Sequence, residues 1–198
     1  MARARGLTHE WQRTAVRITV RVANRGSDSF AAVLPRCLEG WDVAVEGVGS
    51  TGYLKAGNDG LGTFQQRIDA LSHGDEFQLV ILPGGSNDQN VENAGPAEAV
   101  GSTVQTLRAH FPSARLLMLG PVSISTNSNA NKRYVDQVLR EYAAEQRIEF
   151  ISPLAETWFP TSSQPEWVNI ELGHPNTAGY DHMAQKPAED LREIIVTA

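Results

Sequence analysis

The chain has 198 residues, of which 41% are hydrophobic and 20% charged, a composition typical of one globular domain with its own core. Its net charge of −6 and pI of about 5.4 argue against nucleic acid as a partner, and its single cysteine, Cys37, excludes an intrachain disulfide. Because no stretch predicts a signal peptide or a membrane span, we expect a cytoplasmic protein, although a secreted mature form stays open.

The chain begins with a polar, arginine-bearing segment over residues 1–13, for which we expect loose packing. The alternating apolar residues Val16, Ile18, Val20 and Val22 then predict a first strand. A helix pattern starts at Phe30. Residues 26–30 are therefore predicted to form a strand-to-helix turn.

Strand and helix patterns alternate through the remainder of the chain. Strands are predicted over 41–45, 77–82, 115–119 and 147–151, and helices over 63–71, 97–110, 130–146 and 176–195. The apolar run over 77–82, which only Gln78 interrupts, is typical of a strand that is buried on both faces of a parallel sheet. The order predicts an α/β fold with a five-stranded parallel sheet, helices on both faces, and a single domain over residues 1–198.

Ser29 lies in the first of these strand-to-helix turns. Open α/β sheets bind ligands at the carboxyl ends of their strands, where backbone N–H groups of a helix N-terminus suit a developing anion. We therefore interpret Ser29 as a nucleophile. By itself the turn would favour ordinary turn and N-cap roles for its serines.

Later loops contain groups that a serine nucleophile requires. Serine needs an adjacent base, for which His174 is the candidate, and Glu171 lies three residues earlier as the group that orients it. Acyl transfer also needs donors aimed at an oxyanion. Candidates are the backbone N–H groups of Ser29 and Gly49 and the side-chain amide of Asn87.

These segments together resemble the SGNH hydrolases, also called the GDSL esterase/lipase family, over nearly the whole chain. The matching blocks, in order, are Asp28-Ser29-Phe30, the glycine loop at 47–52, Gly85-Ser86-Asn87-Asp88, and Glu171-x-x-His174-Pro175-Asn176 with Gly179. The resemblance implies a flavodoxin-like three-layer α/β/α fold and hydrolysis of acyl esters without a metal or organic cofactor. By position it implies Ser29 as nucleophile, His174 as base, Glu171 as its partner, and Gly49 and Asn87 as oxyanion donors.

The chain departs from the family pattern in three places. Ser27 stands where the family has glycine, Asn24-Arg25 stand where it has apolar residues, and Glu171 stands where it has aspartate. The second block also fits in more than one register, with Ser50 or Gly52 as alternatives to Gly49. These departures motivate an alternative function, a catalytically weakened or non-catalytic ligand-binding protein on the same fold.

A long loop over residues 152–175 contains the aromatic residues Trp158, Phe159 and Trp167. They are candidate substrate-binding residues that could stack on a sugar or cover an acyl chain, and a core role is equally open. The chain has no insertion large enough for a lipase lid, so we expect a small acyl ester as substrate, for example an acetyl ester of a carbohydrate. The oligomeric state stays open.

Overall fold

The computed structural model describes residues 15–19, 30–38, 41–57, 60–71, 77–90, 95–124, 130–160 and 164–196. The strands of the main sheet are β1 (Ala15–Thr19), β2 (Asp42–Glu46), β3 (Leu79–Pro83), β4 (Arg115–Leu119) and β5 (Glu149–Ile151). A small hairpin adds β6 (Val168–Asn169) and β7 (His174–Pro175). The helices are α1 (Phe30–Cys37), α2 (Phe64–Asp69), α3 (Pro96–His110), α4 (Ala130–Gln146), α5 (Gln164–Trp167) and α6 (Thr177–Val196).

Strands β1 to β5 pair in parallel in the spatial order β2-β1-β3-β4-β5. This is the strand order of flavodoxin-like doubly wound sheets, in which the chain reverses direction across the sheet between β1 and β3. The predicted α/β class with a parallel sheet is confirmed. The reversal point is where such sheets open a crevice for ligands beyond the carboxyl ends of the strands.

The centre of the sheet is buried on both sides. Leu79 and Ile81 of β3 belong to one core cluster, and Val80 and Leu82 belong to another. The first cluster also contains α1 and α6 side chains, whereas the second contains side chains of α2, α3 and α4. Because successive strand residues point to opposite faces, helices cover both faces. Each fully buried aliphatic side chain stabilises the fold by about 2 kcal/mol.

Helix α2 shows how local sequence sets an element boundary. Thr63 is its N-cap, and the Thr63 hydroxyl accepts the backbone N–H of Gln66 while the Gln66 side chain accepts the N–H of Thr63. This reciprocal capping box satisfies two donors that the first helical turn would otherwise leave unpaired. The helix predicted over 63–71 is therefore present, with its first predicted residue acting as the cap.

The segment predicted as one long loop contains more structure than expected. It includes the one-turn helix α5 and the hairpin of β6 and β7, whose paired residues are Val168 with Pro175 and Asn169 with His174. Gly173 closes the hairpin with a left-handed φ of 62°. Elements of two to four residues are too short to show a periodicity, so the sequence pattern could not predict them.

Candidate active site

A cavity of about 260 Å³ opens at the carboxyl ends of β3 and β4. Phe30, the first residue of α1, and His174 of β7 also line it. The described lining residues are Phe30, Pro83, Gly84, Ser86, Asn87, Gln89, Leu119, Gly120, Val122, Ile124, Lys132, Gly173, His174, Pro175, Tyr180 and Met183. The predicted base and one predicted oxyanion donor thus lie on the same cavity.

The hairpin that presents His174 is held between α5 and α6. Asn176 caps α6, because its Oδ1 accepts the backbone N–H of Gly179 at 3.0 Å. The Asn176 side-chain amide donates to the Glu166 carbonyl at 2.8 Å, and its backbone N–H donates to the Trp167 carbonyl at 2.9 Å. A Cβ at position 179 would collide with that same Trp167 carbonyl. Asn176 and Gly179 therefore have a structural reason to follow His174 at this spacing.

Asn87 is anchored to the loop that follows β2. Its Nδ2 donates to the Thr51 carbonyl at 2.6 Å. A carboxamide nitrogen has two donor hydrogens, so this bond orients the group and leaves a second hydrogen for a ligand. The placement on the cavity agrees with a role as an oxyanion donor, which stays a prediction.

Asp88 also fixes the loop that follows β2, through hydrogen bonds to its side-chain carboxylate. Its buried carboxylate, only 4% exposed, accepts the backbone N–H groups of Tyr53 (3.1 Å), Leu54 (2.9 Å) and Lys55 (3.3 Å). A Cβ at Gly52 would collide with the carboxylate. The family block Gly-x-Asn-Asp therefore joins the second and third loops, a role for Asp88 that its turn-like sequence context did not predict.

Backbone hydrogen bonds in the glycine loop at 47–52 reduce the number of candidate oxyanion donors there. The N–H groups of Thr51 and Gly52 donate to the carbonyls of Val48 (3.4 Å) and Lys55 (2.9 Å), respectively. Within the described part of the chain, the N–H groups of Gly49 and Ser50 have no such acceptor. Gly52 is thereby removed as an oxyanion donor, and Gly49 keeps a free N–H, although it is not among the described residues that line the cavity.

The predicted nucleophile and the predicted acid are less well defined. Ser29, with Ser27 and Asp28, lies outside the described residues. The Glu171 side chain is exposed, and its carboxylate makes no hydrogen bond or ion pair with any other described residue. Glu171 therefore does not hold the His174 imidazole in this structure, because it lies in a solvent-facing turn of the hairpin.

The loop aromatics require a correction. Trp158 is 1% exposed and Phe159 is 5% exposed, and both belong to the core cluster rather than to the cavity wall. Trp167 stacks on His182 with 3.9 Å between ring centroids, and Phe159 meets both rings edge-on. This packing contradicts a substrate wall, because the rings cover one another and the sheet.

His182 is a structural histidine within this aromatic cluster. Its Nε2 donates to the Trp158 carbonyl at 2.7 Å, and burial lowers its pKa below the usual range. A neutral imidazole packed in this way ties α6 to the segment after β5. His182 is part of no sequence motif that would have predicted this structural role.

The charge on the cavity wall was also absent from the sequence predictions. Lys132, the third residue of α4, lines the cavity, and its Nζ donates to the Val122 carbonyl at 3.0 Å. The Ser86 hydroxyl binds the backbone N–H of Val122 at 3.1 Å and so connects this wall to the block that contains Asn87. A lysine near a helix start gives no sequence signal for such a position.

Neither a metal-binding cluster nor a membrane span is found among the described residues. No group of three or more His, Cys, Asp or Glu side chains there could hold a metal ion. No helix among them is both long enough and apolar enough to cross a membrane.

Substitution of Asp88 by asparagine tests whether this carboxylate stabilises the fold by binding the backbone N–H groups of residues 53–55; we call this set of hydrogen bonds the Asp88 clamp. We expect the free energy of unfolding to fall by about 2–3 kcal/mol, because an amide NH₂ replaces one of two oxygens that accept backbone N–H groups. Urea denaturation followed by circular dichroism measures the change. The matched control Asp69→Asn removes an acid that is 58% exposed and should change stability by less than about 0.5 kcal/mol. Equal stabilities of the two variants would contradict the clamp.

Comparisons with known proteins identify the family of this chain. Residues 7–182 match the model of the GDSL-like lipase/acylhydrolase family. A GDSL lipase of Mycobacterium tuberculosis is 31% identical over 150 residues, and the match covers 74% of this chain and 62% of that protein.

Solved structures show a similar fold. A carbohydrate acetylesterase of Sinorhizobium meliloti superposes with a TM-score of 0.68 at 13% identity, covering 92% of this chain and all of that chain (100%). An aryl esterase of M. smegmatis superposes with a TM-score of 0.67 at 14% identity, covering 91% of this chain and 99% of the other. By the extent of the family match, this chain belongs to the GDSL-like lipase/acylhydrolase family.

Proposed function

We propose that the protein is a serine esterase that hydrolyses small acyl esters through Ser29 and His174, on a single three-layer, flavodoxin-like α/β/α domain. One observation carries the proposal. A cavity at the carboxyl ends of the parallel strands is lined by His174, by Asn87 and by Phe30, the first residue of α1 and the residue that follows Ser29 in the sequence. This is where a base, an oxyanion donor and a nucleophile would have to meet.

In the proposed first step, His174 removes the proton of the Ser29 hydroxyl as its oxygen attacks the ester carbonyl carbon. The carbonyl oxygen becomes an oxyanion and accepts hydrogen bonds from the free Asn87 amide hydrogen and from the N–H groups of Gly49 and Ser29. Asn87 needs no reorganisation for this role, because its bond to the Thr51 carbonyl already fixes the carboxamide.

To complete acylation, His174 gives the proton to the leaving alcohol, and the acyl group remains on the Ser29 oxygen. A water molecule, deprotonated by His174, then attacks the acyl carbon. The carboxylic acid leaves, and the proton returns to Ser29. Every bond made or broken uses groups of this chain, substrate or water, so the proposal requires no cofactor.

The size of the cavity supports a small acyl group. Its volume of about 260 Å³ lies just below the range of about 300–1,000 Å³ that is common for ligand pockets. A fold neighbour from S. meliloti is a carbohydrate acetylesterase, which makes acetyl esters of carbohydrates reasonable first substrates to test. The match spans less than two thirds of the M. tuberculosis relative, so we argue the activity of this chain from its own site and not from that protein.

A series of p-nitrophenyl esters from acetate to decanoate tests the proposal. We expect kcat/KM to be largest for the two- to four-carbon acyl groups and to fall with longer chains. A maximum at eight carbons or beyond would overturn the small-acyl assignment. Absence of turnover for every ester, from a sample whose circular dichroism shows a folded protein, would overturn the esterase itself.

A second candidate function is a weakened enzyme or a ligand-binding protein on the same fold. The exposed Glu171 carboxylate favours it, because the predicted acid bonds to no other described residue and so does not orient the base in this structure. A fluorophosphonate probe separates the two. An active serine is labelled covalently, whereas a pure binding protein is not.

A further inference from the structure

The turn of residues 48–51 contains the candidate donors Gly49 and Ser50, and one side chain holds it. The Thr51 hydroxyl donates to the Val48 carbonyl at 2.9 Å, whereas the Thr51 backbone N–H reaches the same carbonyl only at 3.4 Å. The shorter bond is the stronger of the two. Within the described part of the chain, the first three residues of the turn make no other hydrogen bond. The Thr51 hydroxyl is therefore the main group that holds the turn.

Ser50 gives this turn a reason to need such a bond. Its φ of 64° lies in the left-handed region. The third residue of a type II turn has this φ and is usually a glycine, because a Cβ disfavours the conformation. A non-glycine residue keeps such a backbone only where surrounding contacts hold it. If the turn relaxed at Ser50, the N–H groups of Gly49 and Ser50 would change direction.

Thr51 also contacts the donor of the third block. Its carbonyl accepts the Nδ2 of Asn87 at 2.6 Å. Its side chain is enclosed, because the residue is only 2% exposed and a Cβ at Gly57 would lie 2.5 Å from the Thr51 Oγ1. The hydroxyl of Thr51 thus holds the turn, and its backbone carbonyl holds the Asn87 amide. One residue connects the two sets of candidate oxyanion donors.

The Asp88 clamp cannot take over this task. It binds the N–H groups of residues 53–55, which follow Thr51 in the loop after β2. Residues 48–50 precede Thr51 and receive no hydrogen bond from the Asp88 carboxylate. The clamp and the Thr51 hydroxyl therefore fix different halves of the loop. Loss of the hydroxyl should release the first half while the second half stays in place.

We propose that Thr51 is a positioning residue that fixes the oxyanion donors of the second and third blocks relative to each other. This inference rests on the proposed esterase function for the reaction itself. The oxyanion forms only when the ester carbonyl is attacked, so its donors stabilise the transition state more than the bound substrate. Acylation and deacylation both pass through an oxyanion. Loss of the Thr51 hydroxyl should therefore lower kcat and leave KM nearly unchanged.

The first test is Thr51→Val, which keeps the size of the side chain and removes the hydroxyl. We expect kcat for p-nitrophenyl acetate to fall by roughly 10- to 100-fold, with KM within about threefold of wild type. The loss stays below the roughly 10²- to 10³-fold effect of deleting an oxyanion donor, because the donors are misplaced and not removed. Thr51→Ser keeps the hydroxyl and should retain kcat within about threefold of wild type.

Thr103→Val is the matched control. Thr103 is fully buried in α3, its hydroxyl donates to the Ala99 carbonyl at 2.7 Å, and it is not among the described residues that line the cavity. This variant loses a comparable buried hydrogen bond and should keep kcat within about twofold of wild type, even if its Tm falls. Gly57→Ala is a second test, which serves also if Thr51→Val does not fold. Its Cβ would press on the Thr51 hydroxyl and should lower kcat without removing a polar group.

A measurement without catalysis follows the hydrogen exchange of the Asn87 side-chain amide by NMR. We expect exchange to be roughly tenfold faster in Thr51→Val, because the carbonyl that binds this amide moves with the turn. Unchanged kcat in Thr51→Val or in a folded Gly57→Ala would overturn the inference and leave the esterase proposal intact. An equal loss in Thr103→Val, or no recovery in Thr51→Ser, would also overturn it. If wild type cleaves no ester but Thr51→Val still speeds exchange, the positioning role stands and the esterase proposal fails.

Discussion

Replacement of Ser29 by alanine is expected to lower kcat/KM for p-nitrophenyl acetate by roughly 10³-fold or more, the usual effect of removing a nucleophile from a serine triad. Alanine cannot form the acyl-enzyme, so only the oxyanion donors and substrate binding would remain to accelerate the reaction. The cavity lined by His174 and Asn87 should keep its shape, because the change from serine to alanine removes one oxygen atom and leaves the backbone and the Cβ in place.

The control for this variant is Ser27→Ala, in the same short stretch of sequence. We expect it to retain activity within about threefold of wild type, because it removes a hydroxyl that has no role in the proposed chemistry. A fluorophosphonate probe should label wild type and Ser27→Ala but not Ser29→Ala. Loss of labelling in Ser27→Ala, or unchanged turnover in Ser29→Ala, would show that the nucleophile is misassigned.

The His174→Ala variant should show the second large effect, again a loss of roughly 10³-fold in kcat/KM. The imidazole is the only described histidine on the cavity, and without it the serine hydroxyl has no positioned base. Steady-state hydrolysis of p-nitrophenyl acetate measures the loss. Thermal unfolding separates it from instability, since β7 is short and His174 is only half-buried.

Glu171→Ala serves as the matched comparison on the same hairpin. Its carboxylate is exposed and makes no bond to another described residue, so we expect a loss of no more than about tenfold. A larger loss in Glu171→Ala than in His174→Ala would mean that the acid is misassigned.

The local elements of this fold could be read from the sequence because each has a short-range pattern. The uninterrupted apolar run of β3 predicts a strand buried on both faces, and Leu79 to Leu82 are indeed buried on alternating sides. Helices α3 and α4 repeat apolar residues at helical spacing and were predicted to within one residue. The motif blocks followed from the same logic, since parallel strands bring their carboxyl ends to one edge, where Asn87 and His174 now line one cavity.

The contacts that define the site had no such local pattern. Asp88 receives its hydrogen bonds from residues 33 to 35 positions earlier, and Asn87 is anchored 36 positions away. Trp158 looked as suited to a substrate wall as to a core, and only its packing against α6 decided the matter.

The sequence by itself thus determined the α/β class, the order of its elements and the family blocks. All of these depend on side-chain periodicity and on spacing along the chain. Only the tertiary structure decided which aromatics are buried, which loop N–H groups are already engaged, and that Lys132 lies on the cavity wall. These depend on contacts between segments distant in sequence, which form when helices and loops pack at the sheet edge and which no local pattern encodes.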